Sequence, residues 1–262
     1  MKYFIDTEFL EGPQKGWFGK TTKPTIDLIS VGIVCEDGRE YYAISKDFNL
    51  KEAWNRYDLK VRKDYANYPK KDIGNILYKK EYWLRDNVLE PIYKELHRKE
   101  NLHAKQALHR ANVYIAETEF KFTLKNLKRL INKYGKTNKQ ISEEIVKFTK
   151  VNICFKNVNY NQAKSNPEIF DAVRPQFYGY YSDYDWVAFC WLFGKMIDLP
   201  KGFPMFAFDI QQQIEEYNID KKLLLENIPQ INCHNSLQDA IWNFKAYQYI
   251  QNKIENGGKR ST

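Results

Sequence analysis

Near the start of the 262-residue chain, Asp6-Thr7-Glu8 sets two carboxylates two residues apart. In an extended strand, residues i and i+2 share a face. Two unpaired carboxylates on one face of an apolar segment are costly unless a cation lies between them. Hard divalent cations take oxygen ligands of this kind. A strand end emerging into solvent would carry the same pair, and a D-x-E occurs by chance about once in a chain this long. Asp185 opens the apolar stretch Asp185-Trp186-Val187-Ala188-Phe189. An acid there also suits the start of a helix, where Asp183 is the expected N-cap. His234-Asn235-Ser236-Leu237-Gln238-Asp239 then places one of only four histidines five residues before an aspartate. A first helical turn with a dipole-compatible Asp explains that spacing equally well.

These residues need elements to position them. Residues 2–6 read as a short buried strand, and residues 11–26, with Gly12, Pro13, Gly16, Gly19 and Pro24, as a loop. Leu28–Cys35 is apolar on both faces, as in a central strand. Asp37-Gly38 signals a hairpin turn, and Arg39–Ser45 returns as a third strand. Residues 80–98, 101–118, 120–134 and 139–149 read as helices with charged outer faces. Residues 151–175 are Asn-rich and irregular. Gln176–Tyr181 reads as a strand, Tyr184–Gly194 as a helix and Phe203–Phe208 as a short extended piece. Residues 209–217, 220–227 and Ser236–Lys253 read as helices, the last capped by Asn235 or Ser236. Strands, a helical middle, a strand and more helices predict an α/β fold, a mixed sheet flanked by helices. Asp6 and Glu8 then lie at the end of the first strand, and Asp239 lies about a turn into the last helix.

Composition narrows the partners. The chain is 43% hydrophobic, enough to bury a sizeable core. Its net charge is +8, and residues 51–150 carry 24 Lys and Arg against 13 Asp and Glu. A basic middle attracts a polyphosphate, though a solvated helical face has the same composition. The first residues are too short an apolar run for a signal peptide, and no stretch approaches the roughly 18 apolar residues of a membrane span. The expected location is the cytoplasm, with Cys35, Cys154, Cys190 and Cys233 as free thiols and no membrane partner. Gly257–Thr262 is expected to fray.

Taken in order, the motifs resemble the DEDD exonucleases of the ribonuclease H-like superfamily. That pattern is D-x-E on the first strand, an Asp after a later strand, and a final H-x4-D or Y-x3-D. His234 stands at the H-x4-D position and Asn235 at the other, so the chain resembles the histidine subclass. Tyr3–Glu11, Leu28–Gly32 through Glu36–Ala43, Tyr184–Ala188 and Leu192–Gly194 are most similar to ribonuclease AS-like 3′–5′ exoribonucleases. The resemblance implies a single exonuclease domain over 1–262, with a ribonuclease H-like core at about 1–50 and 173–253. A basic helical insertion would occupy about 51–172, and much of 96–172 departs from the family as an enlargement.

The resemblance further implies two Mg²⁺ or Mn²⁺ ions per site, roughly 4 Å apart. Asp6 would bridge them, Glu8 and Asp239 would complete one site, Asp185 would help hold the other, and His234 would serve as general base. Histidine suits that task because imidazole changes charge near neutral pH. The expected substrate is a single-stranded RNA 3′ end, adenine-rich by analogy, released as 5′-mononucleotides. Thr7, Phe9, Leu10 and Tyr184 are the expected substrate-binding residues, since aromatic side chains stack on bases; core packing is the other reading of Phe9. Related enzymes dimerise, so a homodimer is one expectation. A DNA 3′–5′ exonuclease of the same type and a non-catalytic nucleic-acid-binding module stay open.

Other signals carry less. Gly19-Lys20-Thr21 and Gly135-Lys136-Thr137 lack the first P-loop glycine, those positions holding Gln14 and Leu130. His97, His103 and His109 recur every six residues, which puts them on different helix faces and predicts surface positions. Tyr178, Tyr180, Tyr181 and Tyr184 stand close enough to the candidate acids to line a groove, with at least half of them expected in the core.

Overall fold

The computed structural model describes residues 1–13, 25–61, 78–111, 120–149, 174–231 and 234–257. The glycine-rich stretch with Gly19-Lys20-Thr21, the irregular Asn-rich stretch, Cys154, Cys233 and the tail after Gly257 lie outside the described residues. The described residues fall into two compact units. One takes residues 1–12, 25–48, 135–149, 174–231 and 234–257; the other takes Pro13 and residues 49–61, 78–111 and 120–134.

The first unit is a five-stranded mixed sheet flanked by helices, an α/β architecture consistent with a ribonuclease H-like fold. Its strands are β1 (Lys2–Gly12), β2 (Thr25–Cys35), β3 (Glu40–Ile44), β6 (Gln176–Gly179) and β7 (Phe208–Asp209), in the order β3-β2-β1-β6-β7. β1 pairs antiparallel with β2 and parallel with β6. β3 pairs antiparallel with β2, and β7 runs parallel to β6. The turn into β3 is the one Asp37-Gly38 predicts: Gly38 sits at φ 86, where a side chain would be strained.

Alternation along β1 sorts the layers. Tyr3 and Ile5 face a core built with Phe177, Trp186, Ala188, Phe189, Ile141 and Ile145. Phe4 faces the opposite core, with Tyr178, Ile210, Ile214, Leu224, Ala240, Trp242, Ala246 and Ile250. Both sheet faces are covered, which is why β2 is buried from Leu28 through Cys35. The first core takes helices α4 (Asn138–Thr149) and α5 (Asp183–Trp191), the second α6 (Ile210–Glu216), α7 (Lys221–Asn227) and α8 (Ser236–Glu255). Cys35 and Cys190 are free buried thiols, as expected. No helix of the described residues is long and apolar enough to cross a membrane.

The second unit holds α1 (Leu50–Asn55), the hairpin β4 (Asp58–Val61) and β5 (Tyr78–Glu81), a π-helical turn at Arg85–Leu89 running into α2 (Glu90–Ala111), and α3 (Leu124–Tyr134). Its buried apolar side chains include Val88, Leu89, Ile92, Tyr93, Leu96, Leu127, Leu130 and Ile131.

Several expectations are corrected. The predicted helix from residue 80 starts as a strand, and a single helix covers 90–111 where two were predicted. Neither α1 nor the β4–β5 hairpin is anticipated by periodicity. The piece expected at Phe203–Phe208 forms a strand only at its end, Phe208–Asp209. His97 is 9% exposed, packed against the Tyr93 and Phe120 rings, and so is not a surface histidine.

Candidate active site

Asp6 and Glu8 occupy the β1 face that Phe4 shares, the face covered by α8. Immediately after Glu8 the β1–β2 register shifts, Glu8 opposing Ser30 and Phe9 opposing Leu28. Such an irregularity re-aims the strand beyond the acidic pair.

The start of α8 is seated against these strands by small groups. Gly32 pairs with Asp6 across the ladder. A Cβ on Gly32 would lie 2.1 Å from the Ser236 carbonyl oxygen and 2.4 Å from the Leu237 nitrogen. Only glycine permits that approach of helix backbone to strand. The Ser236 hydroxyl donates to Ser30 Oγ at 3.0 Å, and Asn243 Nδ2 donates to the Ile5 carbonyl at 2.9 Å, both buried. Asn235 caps the helix by accepting from the Leu237 and Gln238 amides. Asp239 follows within the first turn. One carboxylate oxygen each from Asp6, Glu8 and Asp239 lie within 4.8 Å of one another.

Asp185 arrives with α5. The helix is capped at Ser182, without a side-chain cap bond, rather than at Asp183 as the sequence suggests. Asp185 is 7% exposed, and its Oδ1 accepts from the Thr7 amide at 2.9 Å and the Thr7 hydroxyl at 2.6 Å. Thr7 thus ties the D-x-E strand to the third acid. Asp209 stands behind it, accepting from the Ser182 amide at 2.8 Å while capping α6. His234 takes positive φ, 69°, and its backbone amide donates to Asp239 Oδ2 at 2.8 Å. All five sequence-predicted catalytic positions are therefore linked by direct contact or mutual electrostatics.

The electrostatics are those of crowded acids. Burial, then Asp185, Glu8 and Asp239, raise the Asp6 carboxyl well above its usual range. Burial, then Asp239 and Asp185, push Glu8 up to about 8. Asp185 rises to about 6, mainly from burial, against the lowering bonds of Thr7. Asp239 is raised by burial and partly restrained by the His234 amide. Among the described residues none of the four forms an ion pair with Lys or Arg. An all-oxygen set of converging acids that pairs with no Lys or Arg among the described residues fits a hard divalent cation.

The predicted substrate residues fare unequally. Tyr184 is 50% exposed and meets the part-buried Phe9 edge to face, with ring centroids 5.9 Å apart. Leu10 is fully buried, and Thr7 is 6% exposed with its hydroxyl spent on Asp185, so neither offers surface to a ligand. Tyr178 is core, while Tyr181 is 59% exposed. Sequence reasoning did not single out Asp209, Gly32, Ser30 or Asn243. A glycine inside an apolar strand is a hint of close backbone approach, and an Asp directly before a helix is a hint of a cap.

No protein-family model matches the chain. Over 53 residues, 20% of the chain, it is 49% identical to two curated proteins of Mycobacterium tuberculosis strains, each named a 3′–5′ exoribonuclease. The match spans 26% of those proteins' own length.

Proposed function

We propose that the chain is a divalent-metal-dependent 3′–5′ exoribonuclease of the DEDD type. The observation that carries the reading is the convergence of Asp6, Glu8 and Asp239 within 4.8 Å, with Asp185 held beside them by Thr7. The short stretch shared with two proteins named as exoribonucleases favours RNA over DNA.

Asp6, Glu8 and Asp239 would hold Mg²⁺ or Mn²⁺, with Asp185 contributing to a second ion. Bound there, such ions supply Lewis acidity to the scissile phosphate and make water a better nucleophile. The residues do the rest. The carboxylates fix the charge and orientation of the site. Asp185, held on one oxygen by Thr7, keeps its other oxygen available. His234, beside Asp239, takes the proton of the attacking water. Tyr184 and Phe9 present ring edges and faces to the terminal bases.

A time course on 3′- and 5′-labelled homopolymer RNAs and the matching DNAs, with and without EDTA, tests the reading. Expected are 5′-mononucleotides released from the 3′ end of RNA, abolished by EDTA and restored by magnesium. Metal-independent cleavage, or release from the 5′ end, would remove the proposal.

A further inference from the structure

The β4–β5 hairpin of the second unit has an exposed face rich in apolar and aromatic side chains. Leu59 opposes Lys80, and Tyr78 stands two residues before Lys80 on the same strand. Directly opposed residues share a face, and alternation adds Tyr57 and Tyr82 to it. The rings bear this out: Tyr57 meets Tyr82 at 5.8 Å, and the Lys80 ammonium lies 4.2 Å from the Tyr57 centroid. Yet Tyr57 is 42%, Leu59 61% and Tyr78 53% exposed. Aromatic and aliphatic groups on an isolated two-stranded ribbon ordinarily pack on a core, because such a ribbon is marginal alone.

Charge says what fits there. Among the described residues of the hairpin, the one charged side chain on the tyrosine face is cationic, Lys80. The acids Asp58 and Glu81 lie on the opposite face, where Glu81 holds Lys60 at 2.9 Å. Just past the hairpin, the Arg85 guanidinium lies 3.9 Å from the Tyr82 centroid and 5.6 Å from that of Trp54, and its Nε donates to the neighbouring Asp86 carboxylate at 2.9 Å, an exposed pair that a phosphate would have to displace or share. Rings interleaved with cations match a single strand of nucleic acid, whose bases stack and whose phosphates need countercharge. An apolar protein partner would leave Lys80 buried against its surface without a countercharge.

We propose that this face, with Tyr57, Tyr78, Lys80 and Arg85, is a second nucleic-acid site that binds single-stranded RNA. The inference extends the exoribonuclease reading and rests on it for the choice of ligand. Bases lie on the exposed Tyr78 and Tyr57 rings, and Lys80 and Arg85 neutralise adjoining phosphates.

The test is equilibrium binding of the full chain, in EDTA, to a fluorescent oligoadenylate of about 20 nucleotides. Tyr78→Ala is expected to weaken binding about fivefold or more, and Tyr78→Phe to restore it. Lys80→Gln is expected to lower the salt slope of binding by about 0.7, the share of one phosphate on a single strand. Lys79→Gln makes the same charge change on the other face and is expected to weaken binding less than Lys80→Gln. Circular dichroism and sedimentation of each variant report folding and association. If folded Tyr78→Ala and Lys80→Gln proteins bind like the parent, the proposal is overturned. A change of sedimentation with unchanged RNA affinity overturns it in favour of self-association. Dinucleotide hydrolysis with magnesium, followed in the same preparations, reports on the exoribonuclease reading alone. Its absence together with weakened binding by the variants leaves the second site standing.

Discussion

At the scale of single residues, two side chains distinguish a working nuclease site from an acidic pocket. His234 is tied to Asp239 through its backbone amide, so its ring can be removed without losing that bond. His234→Ala is expected to lower turnover roughly 10²-fold or more while leaving magnesium binding, followed by calorimetry, close to the parent's. Near-normal turnover would refute the base assignment. Thr7 tests the positioning of Asp185. Its hydroxyl is one of two donors to Asp185 Oδ1 and one of the causes that hold that carboxyl down. Thr7→Val keeps the shape and the amide but deletes the hydroxyl. A charge-assisted bond is worth about 1.5 kcal/mol or more, so magnesium activation is expected to weaken roughly tenfold. With that lowering bond gone, Asp185 titrates higher, and the acid limb of the pH–rate profile moves to higher pH. An unmoved limb with full activity would mean that Thr7 only packs.

Elements bring such residues together, and here the sequence is readable in part. The β-branched, doubly apolar run of β2 and the Asp37-Gly38 turn are local signals, so β2 and β3 appear near their expected bounds. The order of D-x-E, Asp185 and H-x4-D also points to the residues the fold gathers. What stays hidden is set by tertiary contacts. Helix α4 reads as part of a helical middle, yet Ile141 and Ile145 pack into the sheet core, because periodicity shows a buried stripe and not what buries it. The β4–β5 hairpin carries lysines at positions where a helix pattern is equally satisfied. Leu10 follows the acids in sequence, but the register shift after Glu8 leaves it in the core. Gly32 is the element-scale test. A methyl there meets backbone atoms of Ser236 and Leu237, which cannot swing aside as a side chain would. Gly32→Ala must therefore displace the start of α8, carrying Asp239 and His234 with it. Thermal unfolding is expected to show about 1–3 kcal/mol of lost stability, together with weakened metal binding. An alanine variant that melts and turns over like the parent would show that the helix is not seated by this contact.

At the scale of the whole molecule, the acid cluster opposes the fold that assembles it, and pH exposes the conflict. Burial raises Glu8 from 4.5 to about 8, and burial raises Asp185 from 3.8 to about 6; Asp6 and Asp239 move in the same direction. A carboxyl whose folded pKa exceeds its unfolded value binds more protons in the folded state between the two. Stability therefore falls as pH rises through that window, from about 4 to about 8 here. Glu100 behaves oppositely. Bonds from Arg129, with Lys133 beside it, hold it at about 2, and their contribution is lost as pH falls below the ordinary carboxylate range. The metal-free protein should thus be most stable between about pH 4 and 5 and melt several degrees lower at pH 8, at about 2–4 °C per kcal/mol for a chain of this size. A divalent ion that binds only the folded, deprotonated cluster removes the penalty and adds stability by mass action, about 2.7 kcal/mol at 100 times its dissociation constant. Magnesium should accordingly raise the melting temperature strongly at pH 8 and little at pH 5, where protons occupy the same oxygens. Calorimetry of EDTA-treated protein across this range, with and without magnesium, reads the difference directly. A metal-free melting temperature that climbs from pH 5 to pH 8, or a magnesium shift equal at both, would mean that these carboxylates are neutralised by something other than a bound cation.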